Sequence, residues 1–144
     1  MAEPVAFMVP RESVAEVWLQ FAPHFQAALE RGAGEYWLED VRQFLADGSW
    51  QAWGAFSTSD GLLACAATEV VEYPRTRILF LHMAGGRQGE AVGAMWPLVR
   101  EWARSQGCSA MRFMGRKGWA RSGMLPAGYV VQQDSIVYPV EGVL

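Results

Sequence analysis

The chain has 144 residues, enough for one ordinary domain that buries about 70% of the surface its unfolded form would expose, and too few for a second independent core. With 51% hydrophobic residues and 12% aromatics it is excluded from the disordered class. A formal net charge of −3, with Lys117 as the only lysine, argues against a general nucleic-acid binder, and no apolar run is long enough to span a membrane.

Pro4 and Pro10 bracket the apolar run Val5 to Val9, which predicts a short first strand. Ser13 followed by Glu16 predicts a capping box at the start of a helix. Val14, Val17, Trp18, Phe21, Phe25 and Leu29 then recur on one helical face until Gly32 and Gly34, and Pro23 is expected to kink this helix or split it. Glu35 to Ala46 repeats the helical period through Trp37, Val41, Phe44 and Leu45, and Asp47-Gly48 stops it. Trp50 to Phe56 and Leu62 to Tyr73 read as strands joined by the turn Ser57 to Gly61.

Arg77 to Met83 is a third strand, apolar on both faces and so central, with Ile78, Phe80 and His82 expected on one side and Leu79, Leu81 and Met83 on the other. Ala-Gly-Gly-Arg-Gln-Gly follows as a glycine-rich turn, then a helix from about Glu90 to Gln106 with Val92, Met95, Trp96, Val99 and Trp102 inward. Pro97 disturbs its first turns. Ala110 to Met114 is a further strand, Gly118 to Leu125 a short helix, and Tyr129 to Val140 a last strand with a bend at Gln132 to Asp134.

Cys65 and Cys108 lack the paired spacing of a zinc site and read as two buried, reduced thiols rather than as a lone disulfide, and two distant histidines add no closed metal-ligand set. Arg112, Arg116, Lys117 and Arg121 form a local basic cluster, either a phosphate contact or a solvated face. Seven Trp and seven Met leave room for a partner surface or homo-oligomer beside plain core filling. The N-terminus has no basic segment followed by a hydrophobic stretch, so no export signal is read and a cytoplasmic location without membrane partners is expected.

The order strand, two helices, three-strand meander, glycine turn, helix, strand, short helix, strand resembles the GNAT family of acyl-CoA-dependent N-acetyltransferases over nearly the whole chain. The resemblance implies a single α/β (α+β) domain over residues 1–144, built on a mixed, mostly antiparallel sheet flanked by helices. It also implies acetyl-CoA as cofactor, held by main-chain amides of Met83, Ala84, Gly85, Gly86, Arg87, Gln88 and Gly89. The physical basis is that glycines let amides point inward, and a helix N-terminus adds a partial positive charge worth about 0.3–1 kcal/mol per anionic contact. Trp119 to Tyr129, ending in Gly128-Tyr129, resembles the family's short helix and Gly-aromatic step, and Gly115 to Arg121 resembles a run in small proteins of this type from tailed bacteriophages.

Two departures stand against that pattern. Counting the family signature from Arg87 places Glu90 and Val92 where glycine or alanine is expected, and Met124 and Leu125 stand where many members carry a tyrosine that protonates the leaving thiolate. Two functional readings follow: an N-acyltransferase acetylating an unidentified small-molecule or protein amine, or a GNAT-like scaffold without catalysis that binds a partner, for example in a bacteriophage particle.

Amine acetylation requires a base, and His82, at the end of the central strand, can titrate near neutrality; the competing reading is a core histidine with both nitrogens hydrogen-bonded. Glu69 and Glu72 on the preceding strand either assist, directly or through water, or mark a solvent-facing edge. Tyr36 and Trp37 open the second helix, where the family forms its acceptor wall, and core packing accounts for them equally.

Overall fold

The computed structural model describes residues 3–31, 34–86, 89–113, 130–132 and 135–139. Strand β1 (Val5–Val9) lies between its two prolines and pairs antiparallel with β2 (Gln51–Ser57), in register Val5 to Phe56 through Val9 to Ala52. Helix α1 (Val14–Glu30) is entered through a single tight turn at Arg11–Ser13. The expected capping box is absent. Ser13 has helical backbone angles and its side chain makes no capping hydrogen bond. Nor does Pro23 split α1, which continues to Glu30. The carbonyl that Pro23 leaves without a donor belongs to Leu19, itself 87% exposed, so water can satisfy it while Phe21 and Phe25, buried on the opposite side, hold the helix to the sheet.

Helix α2 (Leu38–Asp47) starts three residues later than the periodicity indicates. Its start is fixed where the Asp40 carboxylate accepts the Trp37 amide at 2.8 Å, and Gly48 ends it with a left-handed φ of 86°. Strands β2, β3 (Gly61–Glu72) and β4 (Arg77–Gly86) form the expected meander. The Ser57 hydroxyl accepts the Asp60 amide at 3.0 Å in the first turn, and the Tyr73 amide donates to the Thr76 carbonyl at 2.8 Å in the second.

The predicted long helix is two: α3 (Gly89–Ala94) and α4 (Trp96–Ser105). Pro97 cannot donate to the preceding turn, so the helix restarts with Met95 as its cap and Pro97 in its first turn, where a missing N–H costs nothing. Strand β5 (Ala110–Phe113) pairs parallel with β4. The last predicted strand is a pair, β6 (Val130–Gln132) and β7 (Ser135–Pro139), antiparallel to each other, and the residues between them, within the expected bend at Gln132 to Asp134, lie outside the described residues. The short helix predicted at Gly118 to Leu125, and the Gly128-Tyr129 step, lie outside the described residues.

These strands make one mixed sheet of seven, in the order β1-β2-β3-β4-β5-β7-β6, and among its described pairings only β4–β5 is parallel. One face packs Trp53, Leu79, Leu81, Met111 and Phe113 against Val92, Met95, Trp96, Val99 and Ala103 of α3 and α4. The other packs Ala52, Cys65, Ala67 and Met83 against Phe21 and Phe25 of α1 and Val41 and Leu45 of α2. The alanines of β3 add little bulk on either face of the sheet, which leaves room there for the large side chains of the flanking helices.

The ladder between β3 and β4 slips once. Ala67 faces Met83 but Thr68 faces Leu81, so His82 is an extra residue bulged out of register. The slip corrects the expected alternation: Met83 belongs to the α1 face, opposite Leu79 and Leu81.

Within the core, Trp53 Nε1 donates to Thr68 Oγ1 at 2.9 Å, and that hydroxyl donates on to Gln51 Oε1 at 2.9 Å. Thr68 is 1% exposed. Thr68→Val keeps the shape and strands the buried indole N–H. Chemical denaturation should show a loss of about 1–3 kcal/mol with an unchanged m-value.

Candidate functional site

His82, standing at the bulge and on the same face as Phe80, lies on the α1/α2 face beside Glu69, whose own ladder partner is Phe80. His82 Nε2 and Glu69 Oε1 are 2.8 Å apart. A carboxylate only accepts, so the shared proton resides on Nε2, and in the neutral ring Nδ1 carries the lone pair. The imidazole lies flat on Trp50, with ring centroids 3.8 Å apart and planes at 13°. Tyr36 meets both rings edge-on, at 5.7 Å from His82 and 4.9 Å from Trp50, and Phe80 closes in at 4.9 Å. The His82 side chain is 11% exposed and that of Glu69 36%, so the pair stands at an opening rather than in the closed core.

Burial pushes the His82 pKa below its ordinary value, and the Glu69 carboxylate works against that shift without cancelling it. His82 is therefore neutral at physiological pH, with Nδ1 able to take a proton. The Tyr36 phenol is pushed up, first by burial and then by the negative charges of Glu69 and Glu35, so it stays protonated.

The glycine segment differs from expectation. Met83, Ala84, Gly85 and Gly86 are strand residues of β4, paired with Ala67, Ala66, Cys65 and Ala64, rather than part of a turn. A Cβ on Gly86 would fall 2.3 Å from the Leu63 carbonyl oxygen and 2.6 Å from Ala64 Cα, so this glycine permits close contact with β3. At Gly85 an added Cβ would make only ordinary contacts, with Arg31 and the His24 carbonyl of α1. Arg87 and Gln88 lie outside the described residues, and Gly89 opens α3. On the other side of β4, described pairing with β5 ends at Leu81 and Phe113, whereas β4 runs on to Gly86. The residues that follow Phe113 lie outside the described residues.

Other candidates are dispersed. Trp37 is 78% exposed and contributes its backbone to the start of α2, so of the two proposed wall residues only Tyr36 meets the histidine. Glu72 is exposed and pairs with Arg77, away from the dyad. Cys65 and Cys108 are buried free thiols, both with pKa values pushed up by burial, Cys65 far beyond the usual thiol range. Arg112 does not lie on a solvated face: it is half-buried in β5, and Arg116, Lys117 and Arg121, with the whole bacteriophage-like run, are outside the described residues. Among the described residues no group of three or more His, Cys, Asp or Glu could hold a metal ion, and no helix is long and apolar enough to cross a membrane. Sequence reasoning missed Trp50, whose stacking partner is unreadable without the register.

No protein-family model and no curated protein matches the chain. Solved structures do. An aminoglycoside 6'-acetyltransferase type Ii superposes with a TM-score of 0.67 at 12% identity, covering 94% of this chain and 97% of its own. A probable acetyltransferase from Staphylococcus epidermidis ATCC 12228 gives 0.66 at 10% identity, with 94% and 98% covered. A ribosomal-protein-alanine N-acetyltransferase from Brucella melitensis biovar Abortus 2308 gives 0.62 at 16%, with 91% and 93% covered. The chain thus has the fold of the GNAT acetyltransferases along almost its full length.

Because the native site resists protonation, the unfolded chain takes up a proton first as pH falls through 6.5, and His82 contributes a loss of stability below that pH down to its own lower pKa. Denaturation midpoints should fall over this window in the wild type, and less so in His82→Phe. Removing the charge with Glu69→Gln should lower the His82 pKa further in an NMR titration. An unchanged or raised value would show that the two groups are not coupled as the geometry indicates.

Proposed function

We propose that this chain is an acyl-CoA-dependent N-acyltransferase that acetylates an amine, with His82 as the proton acceptor and Glu69 as its positioning partner. The observation that carries the reading is the 2.8 Å His82–Glu69 pair, held at the point where the central strand bulges. A likeness of fold alone would leave the chemistry open.

The segment from Met83 to Gly89 is proposed to hold acetyl-CoA. Beyond Leu81 the main chain of β4 has no described ladder partner on its β5 side, and Gly85 and Gly86 place no side chain there, which suits an extended ligand bound through backbone groups. When bound, the thioester supplies an activated acyl group. Everything else falls to the protein. Neutral His82 accepts a proton from the ammonium form of the acceptor, which converts it to the nucleophilic amine. Glu69, accepting from Nε2–H, fixes the tautomer and stabilises the imidazolium that forms. Trp50, Tyr36 and Phe80 exclude water from the ring and hold its orientation. Tyr36 and the more exposed Trp37 are proposed as acceptor contacts, Tyr36 as a neutral phenol able to donate a hydrogen bond.

Calorimetric titration with acetyl-CoA is expected to show binding, and a folded protein that binds none up to about 1 mM would leave only the scaffold reading. Replacing His82 with Ala should lower kcat by about 100- to 10,000-fold while leaving acetyl-CoA affinity intact. In the wild type the acidic limb of kcat/KM should fall below pH 6.5, following the lowered imidazole pKa.

A further inference from the structure

Among the described residues, Arg112 is a cation on a strand of this sheet face that the proposed chemistry leaves unused. It stands on β5 in register with Phe80, which on its other side is in register with Glu69. Cross-strand partners point to the same face, so Glu69, Phe80 and Arg112 form a row on the side that carries His82. Met111 and Phe113, on either side of Arg112, are buried in the opposite core, which fixes the same orientation independently. Arg112 Nε is inaccessible to solvent and finds no hydrogen-bond partner. No described carboxylate pairs with its guanidinium, whereas Arg42, Arg77 and Arg104 each have one.

A half-buried guanidinium with an orphaned donor is costly unless something anionic completes it. Around the histidine the sign is opposite: Glu69 is beside His82, and Glu35 is close enough to act on Tyr36, while Arg31 of α1 lies farther along β4 by Gly85. From the ladder, Arg112 is one strand across and two residues along from His82, roughly 8 Å between Cα atoms. One small molecule can span that gap with an ammonium at His82 and an anion at Arg112.

We infer that Arg112 is a specificity residue that recognises a carboxylate on the acceptor, so that the substrate class is an amine carrying a carboxylate, as in an amino acid. The inference rests on the N-acyltransferase reading for the amine end, and its test separates the two. Arginine suits the task because its planar fork meets a carboxylate through two parallel hydrogen bonds.

The test uses matched acid and amide pairs. Binding of N-acetylphenylalanine and N-acetylphenylalaninamide, with aliphatic pairs of the same kind, is followed by tryptophan fluorescence, and turnover of the corresponding free amines by acetyl-CoA consumption. In at least one pair the acid should bind about tenfold or more tightly than its amide. Arg112→Gln should abolish that preference by weakening the acid alone, seen in turnover as a raised KM with little change in kcat. Arg112→Lys should recover part of it. A merely structural arginine would affect acid and amide equally. If every amide binds as well as its acid, or the preference survives in Arg112→Gln, the inference is overturned. If acids bind in an Arg112-dependent way but no amine is acetylated, the anion site stands and the N-acyltransferase reading fails.

Discussion

One extra residue in the central strand organises this molecule. Up to Leu81 the β3–β4 hairpin is a regular ladder; after the slip at His82 every side chain of β4 changes face. The change lets Met83 join the α1/α2 core while Leu79 and Leu81 remain in the α3/α4 core, so one strand serves both halves of the interior. The histidine stands at the bulge, where its ring leans over Trp50 and its Nε2 meets the carboxylate two positions from Ala67 on β3. A bulge next to a candidate active site is a common way to re-aim one side chain without disturbing the sheet around it.

Much of this architecture is legible in the residues, and the failures are local. The prolines at 4 and 10, the turn residues after Phe56 and the two-faced apolar run after Arg77 give the strands and their central member because each signal belongs to the chain segment itself. The element ends are harder. Ser13 followed by Glu16 has the spacing of a capping box, but the turn before it already makes Ser13 helical, and a cap needs an extended residue. Pro23 and Pro97 look alike as helix breakers, yet only one of them breaks a helix. The difference is tertiary: the carbonyl orphaned by Pro23 faces water on an otherwise anchored helix, whereas Pro97 serves as a first-turn residue for a helix that can begin there.

The candidate site divides along the same line. His82 and Glu69 are each visible as titratable residues on strands, but their partnership depends on a register that must be counted from the tight turn at Tyr73 to Thr76. The turn could have been counted. The bulge has no local marker, since nothing in Leu81-His82-Met83 distinguishes a bulged histidine from a regular one. Trp50 and Arg112 were hidden for related reasons: each acquires its role from a strand or ring far away in sequence, and a basic residue near three other basic residues reads as surface until its strand is seen between β4 and β7.

The two cysteines have a practical bearing on how the chemistry can be watched. Both sulfurs are sealed in the interior, with Cys65 at 0% and Cys108 at 1% exposure. A folded sample therefore offers almost no reactive sulfhydryl to a colorimetric disulfide reagent. Any free thiol appearing during turnover reports released coenzyme rather than protein, and a slow rise in an enzyme-only blank reports opening of the fold.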